Sequence, residues 1–336
     1  MIPSGAKRSD RSGPDGTGGG RVVAICGGVG GAKLALGLHN RIGEDLTVIV
    51  NTGDDFEHLG LSISPDIDTV LYTLGNRSDT ARGWGRADES WHFMAALAEL
   101  GGETWFNLGD RDLALHIERT RRLRAGESLS AVTMDIARHF GIRAAIVPMS
   151  DDPVRTRVHT PDGELGFQRY FVEHRCEPAV SGLSFAGAEA SRIAPAALRA
   201  LQEPTLRAVV LCPSNPYLSI DPILAVPGMR KAIRDSHAPV VAASPIIGGE
   251  AVKGPTAKIM RELGVPLTSQ AIAEHYHDLL DGIVIDRLDH ADAASLSVRA
   301  CVTPTLMRDL ADRERLAHEV LVFADTIRAG SEATGA

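Results

Sequence analysis

Arg21-Val22-Val23-Ala24-Ile25-Cys26-Gly27-Gly28-Val29-Gly30-Gly31-Ala32-Lys33 is the stretch that decides the fold. Its opening is an apolar strand, and Leu34-Ala35-Leu36-Gly37-Leu38 beyond it has a helical pattern, so the glycines form a tight strand-to-helix turn. Glycine has no Cβ and tolerates positive φ, which lets successive N–H groups converge on an anion at a helix N-terminus. Gly27, Gly28, Gly30, Gly31 and Lys33 are therefore candidate phosphate-binding residues. The run matches neither standard phosphate fingerprint. It lacks the third glycine of G-x-G-x-x-G, and Leu34 follows Lys33 where a P-loop carries Ser or Thr for magnesium. A plain tight turn is the structural alternative.

Outward from this turn, apolar runs at 21–26, 46–51, 144–148, 208–212, 240–243 and 282–285 alternate with helical patterns. The alternation predicts an α/β, Rossmann-like fold with a mostly parallel sheet and helices on both faces. Helices are expected over 90–100, 112–123, 130–140 and 311–327. Between Val154 and Glu173 the pattern changes to Thr/Val/His alternation around Pro161-Asp162-Gly163, which predicts an inserted antiparallel hairpin. The expected organisation is a disordered N-terminal tail, 1–20, then one α/β domain, 21–330, with a candidate inserted subregion at 75–200. Ligands in such sheets bind beyond the carboxyl ends of the strands. Four runs end there in unusual loops: the glycine turn, Thr52-Gly53-Asp54-Asp55, Pro213-Ser214-Asn215-Pro216 and Ser244-Pro245-Ile246-Ile247-Gly248-Gly249. They predict a single site.

With 336 residues, 44% of them hydrophobic, the chain can bury a large core. A formal net charge of -8 argues against general nucleic-acid binding, which needs a basic face. The densest basic stretch, 119–124, has its arginines at helical spacing and reads as a solvated helix face. Cys26, Cys176, Cys212 and Cys301 form no C-x-x-C pair, which argues against zinc or a redox dithiol. No segment has the roughly 20 apolar residues needed to cross a bilayer, and the polar start does not resemble a signal peptide. A cytoplasmic protein with reduced thiols, binding neither nucleic acid nor membrane, is expected.

Ser64-Pro65-Asp66-Ile67-Asp68-Thr69 reads as a helix start, with Ser64 at N-cap and Pro65 at N1. Acids in a first turn suit the helix dipole, so Asp66 and Asp68 also have a structural reading. Two residues apart on a helix, they point in different directions; they are not expected to share a ligand, and one is expected to cap. Asp54 with an inward-facing Asp68 would give two hard oxygen ligands suited to magnesium, beside a neighbouring Asp able to accept a proton. His58 reads as a core or surface histidine rather than a base. The prolines of Pro213-Ser214-Asn215-Pro216 would hold a hydroxyl and an amide in place with little entropy left to lose. Arg111, between two acids, reads equally as an ion pair or a phosphate ligand. Of the two lysines after Gly249, Lys253 is the better placed for a phosphate and Lys258 lies a turn further on.

These loops, taken with Asn51-Thr52-Gly53-Asp54-Asp55, Ile63 to Thr69, Leu108-Gly109-Asp110-Arg111-Asp112 and Pro148-Met149-Ser150-Asp151-Asp152, resemble the 2-phospho-L-lactate transferase family (CofD, called FbiA in actinobacteria). The resemblance runs from about Arg21 to Phe323 and implies a role in making coenzyme F420. It implies magnesium-dependent transfer of a phosphorylated three-carbon acid (2-phospholactyl, phosphoenolpyruvyl or 3-phosphoglyceryl) from a guanosine diphosphate-activated donor to the ribityl hydroxyl of Fo, a deazaflavin, with release of GMP. It further implies that Gly27, Gly28, Gly30, Gly31, Ser214, Asn215, Gly248 and Gly249 hold the guanine nucleotide and its diphosphate, and that Asp54 and Asp68 bind the metal. Asp55 or Asp66 would accept the hydroxyl proton; Asp110, Arg111, Met149 and Ser150 would face Fo or the phosphoryl group; Trp91 would offer a flat surface to the ring. A homodimer is expected, and the chain's end soon after its last helix leaves glutamate addition to another enzyme.

Two other readings share the glycine turn. A regulatory nucleotide-sugar-binding relative would not need the paired Asp motifs. A nicotinamide dehydrogenase would need the third glycine and an acid where Asn51 stands.

Overall fold

The computed structural model describes residues 19–252 and 254–334, so the expected tail lies outside the described residues as far as 18. β1 (Arg21–Cys26) passes through Gly27 into α1 (Gly28–Ile42), and β2 (Leu46–Val50) follows. A hairpin of β3 (Phe56–His58) and β4 (Leu61–Ile63) then leads to α2 (Pro65–Leu74), α3 (His92–Glu99), α4 (Asp110–Arg124) and α5 (Leu129–His139). After β5 (Ala145–Pro148), a separate antiparallel sheet forms from β6 (Arg155–Thr160), β7 (Gly163–Gly166) and β8 (Gly182–Ala186). β9 (Leu206–Leu211), β10 (Val240–Ala243), the short pair β11 (Ile246–Ile247) and β12 (Glu250–Ala251), β13 (Gly282–Ile285) and β14 (Arg299–Val302) precede the C-terminal helix Leu310–Thr334.

The central sheet has seven strands in the order β14-β13-β10-β9-β1-β2-β5, and every pairing is parallel. β1 is a continuous apolar run because both of its faces are covered: Val23 and Ile25 enter one core, while Val22, Ala24 and Cys26 enter the other. α1 and the C-terminal helix close the second core through Leu34, Leu38, Leu316 and Val320. From β1 the chain builds outward to β2 and β5 on one side and returns at β9 to build the other side. The strand order thus reverses between β1 and β9, and the loops that leave these two strands open a crevice there.

All six expected strands are present, with ends shifted by at most two residues. β14 has no counterpart among the apolar runs, because it is a partly exposed edge strand whose sequence needs none. The hairpin around Pro161-Asp162-Gly163 is present as β6 and β7, but β8 adds a third strand on the far side of β6, and Arg169–Glu173 is a helical turn rather than strand. β5 falls inside the 75–200 stretch yet pairs with β2, so the additions flank a strand of the main sheet. Among the described residues no helix is long and apolar enough to cross a membrane. All four cysteines are free thiols, with Cys26 and Cys212 buried.

Candidate active site

A cavity of about 660 Å³ opens at the carboxyl edge of the sheet, over the β1/β9 crevice. Gly27, Gly28, Gly30 and Lys33 line it from the start of α1, Asp54 from the loop after β2, Ser214 and Asn215 from the loop after β9, and Ser244, Pro245 and Ile247 from the loop after β10. All four decorated loops therefore reach one cavity. The glycines let them meet: a Cβ on Gly30 would stand 2.4 Å from the Pro213 carbonyl oxygen, and one on Gly27 would stand 2.3 Å from Asp66 Oδ2. Ser214 ties the two crevice loops together, since its hydroxyl donates to the Gly27 carbonyl at 2.8 Å and accepts from the Gly27 N–H at 3.1 Å. The Asn215 side-chain oxygen caps the following helical turn, accepting from the Tyr217 and Leu218 N–H groups, while its buried Nδ2 has no partner among the described residues. Lys33 Nζ donates to the Met307 carbonyl at 3.0 Å.

The electrostatic centre of the cavity is a pair of buried carboxylates, Asp54 and Asp66. Asn51 Nδ2 lies 3.0 Å from Asp54 Oδ1 and 2.9 Å from Asp66 Oδ2, and the other oxygen of Asp66 accepts the Gly28 N–H at 2.7 Å. Asp66 thus sits at the positive end of α1, on one of the N–H groups expected to meet a phosphate. Burial, reinforced by the charge of Asp66, pushes the Asp54 carboxyl well above the usual range. Burial likewise pushes Asp66 up to about 6, against hydrogen bonds from Asn51 and Gly28 that favour its charged form.

Asp68 follows a different course. Arg119 holds it in a bidentate pair, with Nη1 at 3.0 Å from Oδ2 and Nη2 on Oδ1, and the Arg119 side chain is fully buried. The acids of α2 point apart as their spacing requires, but it is Asp66 that stands beside Asp54, where the resemblance placed Asp68. Neither acid caps α2 through its side chain, and nor does Ser64. The Ser64 hydroxyl donates instead to Asp55 Oδ2 at 2.8 Å.

Asp55 Oδ1 has no partner among the described residues, and burial pushes this carboxyl up to about 7 against the opposing charge of Arg155. Asp55 does not face the main cavity; it lines a second one of about 380 Å³, with Arg155 and Thr156. Gly31, Trp91, Asp110, Arg111, Met149, Ser150, Gly248 and Gly249 also fall outside the main cavity wall. Asp110 accepts from the His92 and Phe93 N–H groups and so caps α3, while Glu89 does the same for α4 through Arg111 and Asp112. The Arg111 guanidinium is exposed, 3.8 Å from Asp88, which is the ion-pair reading of that residue. Met149 is buried in the core, and the Ser150 hydroxyl accepts the Asp152 N–H at 3.0 Å. The Gly248 and Gly249 N–H groups are taken by the Asp289 carboxylate at 2.8 and 2.9 Å, so this turn already holds an anion of its own. Lys253 lies outside the described residues; Lys258 pairs with Glu262. His58 is a core histidine, buried beside Phe56, Trp105 and Phe106.

Sequence reasoning missed much of the wall that α2 and α4 build. Tyr72, Asp112 and His116 line the cavity; the Tyr72 hydroxyl donates to Asp112, and His116 lies 3.3 Å from Asp112 and 3.7 Å from Asp68. The signal was present, since 112, 116 and 119 are spaced i, i+4 and i+7 along one helix face. The arginine run has the spacing of a solvated face, and Arg121 does pair with Glu118 at the surface, but Arg119 turns inward. Trp84, not Trp91, lines the cavity, together with Phe106, Phe167 and Phe171. Arg82 stacks against both tryptophans, at 5.3 and 5.0 Å from their rings.

The family model for CofD, 2-phospho-L-lactate transferase, matches residues 22–322. The chain belongs to the CofD family of transferases. A phosphoenolpyruvate transferase of Streptomyces coelicolor is 43% identical, with 92% of this chain and 99% of that protein aligned. One of Kitasatospora aureofaciens is 42% identical over 93% of this chain and all of that protein. A 2-phospho-L-lactate transferase of Methanosarcina mazei is 40% identical over 90% of this chain and all of that protein. The fold is also that of a solved UPF0052-family protein from Bacillus halodurans, with a TM-score of 0.59 at 15% identity over 90% of this chain and 98% of the other. Of the loops quoted from the sequence, those at 51–55, 213–216 and 244–249 each bring residues to the β1/β9 crevice.

Proposed function

We propose that this CofD-family protein transfers a phosphorylated three-carbon acid from a guanosine diphosphate-linked donor to the ribityl hydroxyl of Fo, releasing GMP, in coenzyme F420 biosynthesis. The observation that carries the reading is the meeting of four family loops on one cavity, in a chain aligned with named transferases over nine-tenths of its length. The nucleotide lies over the α1 turn and the Ser214-Asn215 loop, where the unpartnered Asn215 Nδ2 offers a donor to the base or ribose. The flat ring of Fo packs against aromatic side chains that line the cavity, Trp84, Phe106 and Phe171. The acceptor oxygen bonds to the phosphorus that carries the three-carbon acid, the bond from that phosphorus to GMP breaks, and the hydroxyl proton is released.

The donor set fits magnesium. Asp54 and Asp66 are hard oxygen ligands, buried together on the cavity wall, and among the described residues their hydrogen bonds come from an amide and a backbone N–H rather than from a positive side chain. They would hold the ion, with Asp68 further along the same wall. Bound there, magnesium would offset the charge of the diphosphate and of the departing GMP. The protein is proposed to act in the cytoplasm as a homodimer.

Fo is fluorescent, so its binding to the purified protein, with and without GDP and magnesium, tests the reading. Saturable binding is expected, followed by GMP release and a product whose mass identifies the transferred acid. The relatives' names make phosphoenolpyruvyl and 2-phospholactyl donors the first two to supply. Nucleotide binding without any Fo binding would overturn the transferase reading in favour of a regulatory one.

A further inference from the structure

We infer that Asn51 is a positioning residue, the amide that holds Asp54 and Asp66 together as one divalent-cation site; this rests on the magnesium reading above. Asn51 directly follows β2 and is completely buried. It does not line the cavity, whereas both carboxylates do, so it stands behind them. Its side chain joins three loops: Nδ2 reaches Asp54 Oδ1 and Asp66 Oδ2 at 3.0 and 2.9 Å and the Leu218 carbonyl at 3.2 Å, while Oδ1 accepts the Gly53 N–H at 2.7 Å. An amide nitrogen has two hydrogens, and here each carboxylate can take one.

That arrangement answers an electrostatic problem. Two ionised carboxylates buried side by side repel, and free side chains would rotate apart. A neutral donor between them fixes their separation without cancelling their charge. A lysine or arginine in the same place would also hold them, as Arg119 holds Asp68, but it would neutralise the pair and compete with any cation. Asn51 leaves the net negative charge in place and facing the cavity. Outer groups that orient metal ligands in this way typically change affinity by about ten- to a hundredfold when removed. An acid at the end of β2 would serve a nicotinamide ribose in a dehydrogenase; here an amide at that position serves two acids.

Magnesium binding to the purified full chain, followed by titration calorimetry and by the rise in melting temperature over an EDTA control, tests the inference without any turnover. Wild-type protein is expected to bind and to be stabilised. Asn51→Ala is expected to weaken magnesium binding about ten- to a hundredfold. If Asn51→Ala fails to fold, Asn51→Asp keeps the shape and the acceptor for Gly53; crowding a third carboxylate onto the pair, it is expected to melt lower in EDTA and to gain more from magnesium than wild type. A lower melting temperature with wild-type magnesium affinity in Asn51→Ala, or an unchanged magnesium shift in Asn51→Asp, would make Asn51 a purely structural residue and overturn the inference. Absence of magnesium binding by wild type would instead remove the cation reading on which it rests.

Discussion

Asp66 and Asp68 are two residues apart on α2, equally buried, and line the same cavity, yet their surroundings are opposite. Asp66 stands at the strand ends beside Asp54, with an amide and a backbone N–H as its hydrogen-bond partners among the described residues. Asp68 stands on the helical wall and is neutralised by a fully buried arginine. The difference separates a carboxylate left with uncompensated charge, which calls for a ligand, from one whose charge the scaffold has already met. Under the proposed function, the sheet edge would be the chemical half of the site and the α2–α4 wall the half that shapes it.

Substituting the two acids is the most forceful way to break the comparison. Asp66→Asn removes a charge that burial already disfavours, so the fold should survive while transfer falls by on the order of a hundred- to a thousandfold. Asp68→Asn leaves Arg119 buried without its partner, a change that typically costs about 3–5 kcal/mol. Its melting temperature should drop well below that of Asp66→Asn. Equal melting temperatures, with all of the activity lost in Asp68→Asn, would return the metal to Asp68 and reverse the roles of the two halves.

Acidity gives a second contrast. Asp54, Asp55 and Asp66 all have carboxyls raised by folding, the last two to about 7 and about 6. A group raised on folding favours the folded state below its unfolded value, near 4, and that stabilisation is lost as pH rises through the folded value. Metal-free protein should therefore melt at a lower temperature at pH 8 than at pH 5, and magnesium should recover part of the loss at pH 8. A melting temperature that stays flat or rises across this range would show that the strand-end acids are not held in uncompensated burial.

The sheet edge was legible in the sequence because local rules govern it. Apolar runs buried on both faces, glycines at a close approach and polar loops at strand ends are each visible within a few residues. What the sequence hid is long-range partnering. Nothing in Ser64-Pro65-Asp66-Ile67-Asp68 says which acid will meet Arg119, fifty-one positions later. The same holds for the Gly248-Gly249 turn, which has the composition of an anion cradle but already holds Asp289. Trp91 and Trp84 are indistinguishable as residue types, and only the loop that carries Trp84 over the cavity separates them.

Asn215 belongs to the sheet-edge half, and its unpartnered Nδ2 should report nucleotide binding specifically. Asn215→Ala also removes the cap on the Tyr217 and Leu218 N–H groups, a change of about 1 kcal/mol in stability. GDP affinity, measured by calorimetry, should fall about tenfold, as expected for one lost hydrogen bond at a buried site. Fo affinity should hardly change. A selective loss of Fo binding would place the acceptor, rather than the nucleotide, over the β9 loop.

The smallest expected effect lies at the aromatic end of the wall, where Trp84 and Trp91 share one arginine. Trp84 is half exposed at the cavity and free to pack on a planar ring, whereas Trp91 does not reach the lining. An aromatic pair adds about 0.5–1.5 kcal/mol beyond the area it buries, so Trp84→Ala should weaken Fo binding by roughly two- to tenfold. Trp91→Ala should leave Fo affinity within about twofold, since its ring meets Arg82 and not the ligand. Because Arg82 stacks on both rings, either change frees one face of the guanidinium, and the two variants share that disturbance. The difference between them therefore isolates contact with the ring of Fo. If Trp91→Ala proves the more damaging, the loop around Trp84 closes differently over bound Fo, and the wall is shaped by its ligand rather than ready for it.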